Sequence, residues 1–270
     1  MQKTILITGA TDGIGLETAR LLVGMGHQVL LHGRSAAKLE IAVSSLAGVA
    51  DSRLVETCVA DLARFDEVEA LARAVTEKHS RLDVLINNAG VFMAGDTVTS
   101  DGLDVRFVVN TVAPYLLTTR LLPLFGGSGR VINVSSAAQS PVDLDALVGK
   151  RRLTDGEAYA QSKLALTMWS RYMARVRDDE GPVVMAVNPG SLLGSKMVKQ
   201  AFGMAGKDLR IGADILARAA LAEEFASASG QYFDNDSGQF AAPHADALDP
   251  GKVTEVVSAI EAILKKHTNA

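Results

Sequence analysis

Apolar positions along this chain follow two rhythms that take turns. Short, nearly unbroken apolar runs stand at Thr4 to Thr8, Gln28 to Leu31, Val84 to Ile86, Gly129 to Val134 and Pro182 to Val187. Runs of this length without polar alternation suit strands buried on both faces. Arg53 to Ala60 and Gln231 to Phe233 read as two further strands. Between them lie longer stretches with helical spacing: Leu16 to Met25, Ala36 to Leu46, Phe65 to His79, Asp101 to Phe125, Glu157 to Arg177, Gly212 to Phe225 and Pro250 to Lys266. In the fifth of these, Leu164, Met168, Trp169, Tyr172 and Met173 build a broad apolar surface. Alternating strands and helices predict an α/β fold, a doubly wound parallel sheet of about seven strands covered on both faces. No second domain and no repeat of fixed length is legible, so residues 1–270 read as one domain.

Composition narrows the function classes. An apolar content of 48% is ample for a core and excludes general disorder. A net charge of −4 gives no electrostatic footprint for nucleic acid. Cys58 is the single cysteine, so no internal disulfide or cysteine-based metal site can form, and it reads as a buried packing residue. No metal is expected. Met1-Gln2-Lys3-Thr4-Ile5 runs straight into a strand without a signal-peptide pattern. No apolar run reads as long enough to span a bilayer. The expectation is a soluble, cytoplasmic protein with neither a nucleic-acid nor a membrane partner.

Candidate chemistry gathers at the strand ends. Gly9-Ala10-Thr11-Asp12-Gly13-Ile14-Gly15 joins the first strand to the first helix, the context in which backbone N–H groups hold a phosphate. The next strand ends at Gly33-Arg34-Ser35, where an acid would bind the ribose hydroxyls of NAD. No Asp or Glu lies between Gln28 and Lys38, and the guanidinium of Arg34 suits a 2′-phosphate, so NADP(H) is favoured over NAD(H). Asp61, after the third strand, could accept from an adenine amine or cap the helix that begins near Arg64. Asn87-Asn88-Ala89-Gly90 ends the fourth strand, with amides able to tie neighbouring strand ends. Pro114 has no N–H, so the carbonyl of Asn110 loses its i+4 donor; the helix should kink there and leave that oxygen for a water. Tyr159 and Lys163 stand one turn apart on one helix face, where an ammonium favours the phenolate.

The order and spacing of Thr8-Gly9-x-x-x-Gly13-Ile14-Gly15, Asn87-Asn88-Ala89-Gly90 and Tyr159-x-x-x-Lys163 resemble the short-chain dehydrogenase/reductase family over nearly the whole chain. The section from Thr99 through Asn110 to Leu124 is most similar to its retinol-dehydrogenase-like branch. The resemblance implies a Rossmann-type three-layer sandwich and hydride transfer between NADP(H) and a carbonyl or alcohol substrate. It implies a catalytic set of Asn110, Ser136, Tyr159 and Lys163, with Asn110 holding a water that links Lys163 to solvent. Cofactor contacts are expected at Gly9, Thr11, Asp12, Gly13, Ile14, Gly15, Arg34, Asp61, Leu62, Asn87, Ala89, Gly90, Tyr159, Lys163, Pro189 and Gly190. A hydroxyl near the nicotinamide would come from Ser195 or Ser191.

Residues 191–211 carry Leu192, Leu193, Met197, Phe202 and Met204 among glycines and read as a substrate lid. Residues 137–157 form an inserted loop whose Asp143, Asp145, Lys150, Arg151 and Arg152 read as a solvated face. The lid residues suggest an apolar or mixed substrate of the steroid-like, retinoid-like or aromatic carbonyl kind. Association into a homodimer or homotetramer through the long helices beginning near Asp101 and Glu157 is implied by the resemblance. Two other readings use the same fold: a non-catalytic NADP-binding regulator or scaffold, and an epimerase or dehydratase acting on a sugar nucleotide.

Overall fold

A computed structural model describes residues 1–48, 51–176 and 181–268; Arg177, the end of one predicted helix, lies outside the described residues. The strands are β1 (Thr4–Ile7), β2 (Gln28–Gly33), β3 (Val55–Val59), β4 (Val84–Asn87), β5 (Arg130–Val134), β6 (Val183–Asn188), β7 (Tyr232–Asp234) and β8 (Gln239–Ala241). They form one sheet in the order β3-β2-β1-β4-β5-β6-β7-β8. All seven expected strands are present and parallel. The eighth, β8, was not expected and runs antiparallel to β7. It is three residues long and mostly exposed, so it lacks an apolar signature. Its turn, Asp234-Asn235-Asp236-Ser237-Gly238, was the legible clue.

The helices are α1 (Gly13–Gly24), α2 (Ala36–Leu46), α3 (Phe65–Lys78), α4 (Val105–Phe107), α5 (Ala113–Leu121), α6 (Leu144–Leu147), α7 (Asp155–Val176), α8 (Lys196–Phe202), α9 (Leu209–Leu221) and α10 (Pro250–His267). Strand alternation divides the core. Leu6, Leu30, Leu85, Val131 and Val184 face α3, α5, α7 and α10. Ile5, Ile7, Val29, Leu31, Ile86 and Ile132 face α1 and α9. Each strand therefore fills two cores, which is why these runs are apolar without alternation.

The long helix expected from Asp101 to Phe125 is interrupted. α4 passes into a π-helical turn, Val108–Val112, and then into α5. Ala113 N–H reaches back to the Val108 carbonyl, five residues earlier. Pro114 explains the break: it cannot donate to Asn110, so the chain opens by one residue instead of closing a normal turn. The stretch Val105–Leu124 is, against expectation, long and apolar enough by composition to cross a bilayer, with a mean hydropathy of 1.2, but 78% of that window is buried inside the fold.

α10 lies over α5 and α7. Val253, Val256, Val257, Ile260, Ile263 and Leu264 join the same core as Tyr115, Trp169 and Met173. The Tyr115 hydroxyl donates to Glu261 at 2.8 Å. Tyr115, Trp169 and Met173 are thus covered by the chain's own helix.

Candidate active site

The strand order reverses between β1 and β4; in open α/β sheets such a switch point leaves a crevice for ligand outside the carboxyl ends. The glycine turn sits on that crevice and is held by close backbone approach. A Cβ at Gly9 would stand 2.8 Å from Ala89 Cα, and Gly9 also has φ +65°. A Cβ at Gly15 would stand 2.4 Å from Asn88 Nδ2. Only glycine fits either place. Asn88 supplies the tie that its sequence position suggested, donating to the carbonyls of Thr8 at 2.8 Å and Gly9 at 3.0 Å. Thr8 Oγ1 in turn accepts from the N–H groups of Asn88 and Ala89, both at 3.0 Å. Asp12 is the N-cap of α1, yet its side chain makes no cap bond and pairs with Lys196 at the start of α8 at 2.7 Å. The N–H groups of the first turn of α1 are left for an anion.

Ser136, Tyr159 and Lys163 come together at the carboxyl edge of β5. Lys163 is 3% exposed and donates from Nζ to the Val134 carbonyl at 2.7 Å. The same Nζ lies 5.7 Å from the centre of the Tyr159 ring. Burial pushes the Lys163 ammonium down to about 8. Burial also raises the Tyr159 phenol above its ordinary value, while a hydrogen bond from Ser136 pulls it back. Desolvation is the larger influence on this phenol, and the Ser136 bond opposes it. Ser136 Oγ accepts from Ala138 N–H at 3.1 Å, which leaves its proton for Tyr159. Phe92 packs on Tyr159 with ring centres 4.9 Å apart.

Asn110 stands on the π turn, 1% exposed. Its side chain accepts from Val91 N–H at 2.8 Å and donates to the Val91 carbonyl at 2.9 Å and to Ser162 Oγ at 2.9 Å. It therefore fastens the loop after β4 to α7. A side chain placed at Gly90 would touch Lys163 Nζ, Asn110 Oδ1 and Met197, so these groups share one small space.

The remaining expected contacts divide. Arg34 is exposed at the end of β2 and has no partner among the described residues, as a phosphate-binding guanidinium requires. Thr11, Gly13, Ile14 and Gly190 line the turn and the loop after β6, while Pro189 offers its carbonyl to Asn235 at 2.9 Å. Asp61 does not cap α3; its carboxylate accepts from Ala63 N–H at 3.0 Å, and Arg64 is the cap position. Leu62 is 4% exposed and packs in the core, so only its backbone can meet a cofactor. The Asn87 side chain also turns inward, donating to Asn133 at 2.8 Å and Thr118 at 3.1 Å. Ser191 donates both its hydroxyl and, at 2.9 Å, its N–H to Asp236. Ser195 stands at the start of α8. It caps α8 through Val198 N–H at 3.3 Å, and its Cβ lies 3.9 Å from where a Gly13 Cβ would be.

The segment 191–211 is pinched at its base, where Gly194 N–H donates to the Lys207 carbonyl and Lys207 N–H to the Leu192 carbonyl, both at 2.7 Å. Leu192 and Met204 are exposed while Leu193 is buried; the Phe202 side chain lies outside the described residues. In the inserted loop the charges pair locally, Arg151 with Asp143 at 2.8 Å and Lys150 with Asp145 at 3.5 Å. Cys58 is half-buried on the edge strand, and burial lifts its thiol to about 11.

Two buried groups escaped the sequence reading. Arg106 is 1% exposed and pairs with Asp104 at 2.6 Å and with Asp155, anchoring the start of α7 four residues before Tyr159. His32 is 2% exposed beneath the glycine turn. Its Nδ1 accepts from Gly9 N–H at 3.3 Å and its Nε2 meets the Ala60 carbonyl at 3.0 Å, which fixes the neutral tautomer with the proton on Nε2. A lone histidine inside an apolar strand gave no signal for this. Burial, opposed by the Ala60 bond and Asp61, holds the imidazole down to about 4. Between pH 6.5 and 4 the unfolded chain binds this proton and the folded chain does not, so stability falls as pH falls through that window. The loss attributable to His32 is about 3 kcal/mol. Urea unfolding at stepped pH should show this slope in the wild type and a flatter one in His32→Asn; equal slopes would remove His32 as the cause.

The sequence pattern of the short chain dehydrogenase family matches residues 3–206. Human retinol dehydrogenase 13 is 33% identical over 263 residues, covering 90% of this chain and 80% of that protein. An uncharacterised protein of Mycobacterium paratuberculosis, known by its crystal structure, superposes with a TM-score of 0.82 at 29% identity, covering 98% of this chain and 94% of that one. A short chain dehydrogenase of Shigella flexneri solved with NADP superposes at 0.68 with 27% identity, covering 87% and 97%.

Proposed function

We infer, starting from a chain that belongs to the short-chain dehydrogenase family, that it is an oxidoreductase using NADP(H) on an apolar or mixed carbonyl/alcohol pair. The observation that carries the reading is the pairing of Ser136 with Tyr159 beside the buried Lys163. The chain fits a nicotinamide dinucleotide phosphate: an uncapped helix start, an Arg34 without a partner among the described residues and a desolvated ammonium lie at the same edge of the sheet. Gly9, Gly13 and Gly15 would hold its diphosphate, Arg34 its 2′-phosphate, Lys163 its nicotinamide ribose and Ser195 its carboxamide. When bound, the cofactor supplies or takes the hydride.

The protein's share is proton handling and orientation. Ser136 donates to the substrate oxygen and stabilises its developing charge. Tyr159 gives that oxygen its proton in reduction and removes it in oxidation. Burial disfavours both a lone phenolate and a lone ammonium, so loss of the Tyr159 proton is tolerated only with Lys163 charged beside it. The main-chain carbonyl of Asn110, freed by Pro114, accepts a water that passes protons between Lys163 and solvent. Phe92 on Tyr159, with the exposed Met93, Leu192 and Met204 on flanking loops, supports an apolar substrate wall. The name of the human relative points the same way.

The test is NADPH oxidation against a panel of aldehydes and ketones, retinoid-like, steroid-like and aromatic. Turnover with at least one apolar carbonyl is expected; NADPH binding without turnover on any would return weight to a regulator. Arg34→Ser should shift the NADPH-to-NADH preference by about one to two orders of magnitude, with NADH use little changed. An unaltered ratio would sink the role of Arg34.

A further inference from the structure

The hairpin β7–β8 lies outside the matched residues 3–206, yet it reaches both halves of the candidate site. On one side, the Tyr232 hydroxyl donates to the main-chain carbonyl of Ser136 at 3.2 Å. Gln139 Nε2 donates to the same oxygen at 2.9 Å. On the other side, Asp234 and Asp236 accept from Asn188 Nδ2 at 2.7 and 2.9 Å, and Asp236 accepts from Ser191 N–H at 2.9 Å. The last ladder bond from this end of β5 is Ser135 N–H to the Val187 carbonyl at 2.8 Å. Ser136 therefore stands one residue past the sheet, where no strand pairing fixes it. Tyr232 is 6% exposed, rooted in β7 by pairing with Ala186, and its ring has no freedom to follow a loose loop.

We propose that Tyr232 is a positioning residue for catalysis: with Gln139, it clamps the Ser136 carbonyl and so fixes the Ser136 hydroxyl against Tyr159. The proposal rests on the catalytic reading of Ser136. A carbonyl held by two donors from different elements cannot rotate its own residue, and a hydroxyl aimed by a fixed backbone keeps its bond to the phenol. Loss of the clamp lets Ser136 swing, which weakens both its bond to Tyr159 and its bond to the substrate oxygen.

The experiment compares Tyr232→Phe, Gln139→Leu, Ser136→Ala and the Tyr232→Phe/Ser136→Ala pair. Tyr232→Phe should lower kcat about tenfold and leave the Kd for NADPH within twofold. Its kcat should also need a higher pH to reach half-maximum in the oxidative direction, since the bond that favours the phenolate is weakened. Gln139→Leu should act in the same direction, and because it is only half-buried it serves where Tyr232→Phe does not fold. In the Ser136→Ala background, Tyr232→Phe should have no further effect. An equal loss in both backgrounds, or a pH midpoint that stays in place, would overturn the clamp. Full activity of Ser136→Ala would instead overturn the catalytic reading of Ser136, and the clamp with it.

Discussion

Tyr159→Phe is expected to lower kcat by about 10²–10⁴-fold while leaving the Kd for NADPH within a few-fold. The substitution removes one hydroxyl from a ring that Phe92 already packs and that keeps the Lys163 ammonium 5.7 Å from its centre, so the fold loses little. What it removes is the only group bonded to Ser136 Oγ that can release a proton to the substrate oxygen. Stopped-flow measurement of NADPH oxidation, together with cofactor fluorescence titration, separates the two quantities. Wild-type turnover by this variant would end the assignment of Tyr159; loss of NADPH binding would mean the ring is structural.

Lys163→Met is expected to trade activity against stability in opposite directions. The ammonium is held down to about 8 by burial, against an ordinary 10.5. From pH 10.5 down to 8 the unfolded chain holds this proton and the folded chain does not, so stability rises with pH across that window. Below pH 8 the full penalty, about 3 kcal/mol, weighs on the native state. Methionine removes it but strands the Val134 carbonyl, at a cost of about 1–2 kcal/mol. The net gain is about 1–2 kcal/mol, or roughly 3–6 °C in Tm, while kcat falls on the order of 10²-fold. A lower Tm with retained activity would make Lys163 an ordinary structural residue.

The seven parallel strands and their helices were legible because strands buried on both faces must be apolar throughout, and helices between them must not be. The residues at the carboxyl ends were legible for a related reason: Gly9 and Gly15 tolerate no Cβ, and Arg34 stands where an acid would otherwise be. Other residues were hidden because their roles come from partners far along the chain. Ser191 and Ser195 are chemically alike, and only Asp236, brought over by the β7–β8 turn, distinguishes them. Asn87 and Asn88 are identical neighbours that face opposite ways, one to the core and one to the glycine turn. His32 and Tyr232 sit in strands where any large residue would fit the pattern, and only the neighbouring strand ends give their side chains work. The break at Asn110 was visible through Pro114, but its form, a π turn closed by Ala113 N–H on the Val108 carbonyl, was not.

The covering of α5 and α7 by α10 also bears on how the chain is made. Every strand of the sheet precedes α10 in the sequence, so a growing chain completes its sheet while the outer face of Tyr115, Trp169 and Met173 is still bare. During that interval the molecule carries an apolar flank of the kind that aggregates or recruits chaperones. α10 seals that flank only once residues 250–267 have joined the fold, burying Val253, Val256, Val257 and Ile260 there.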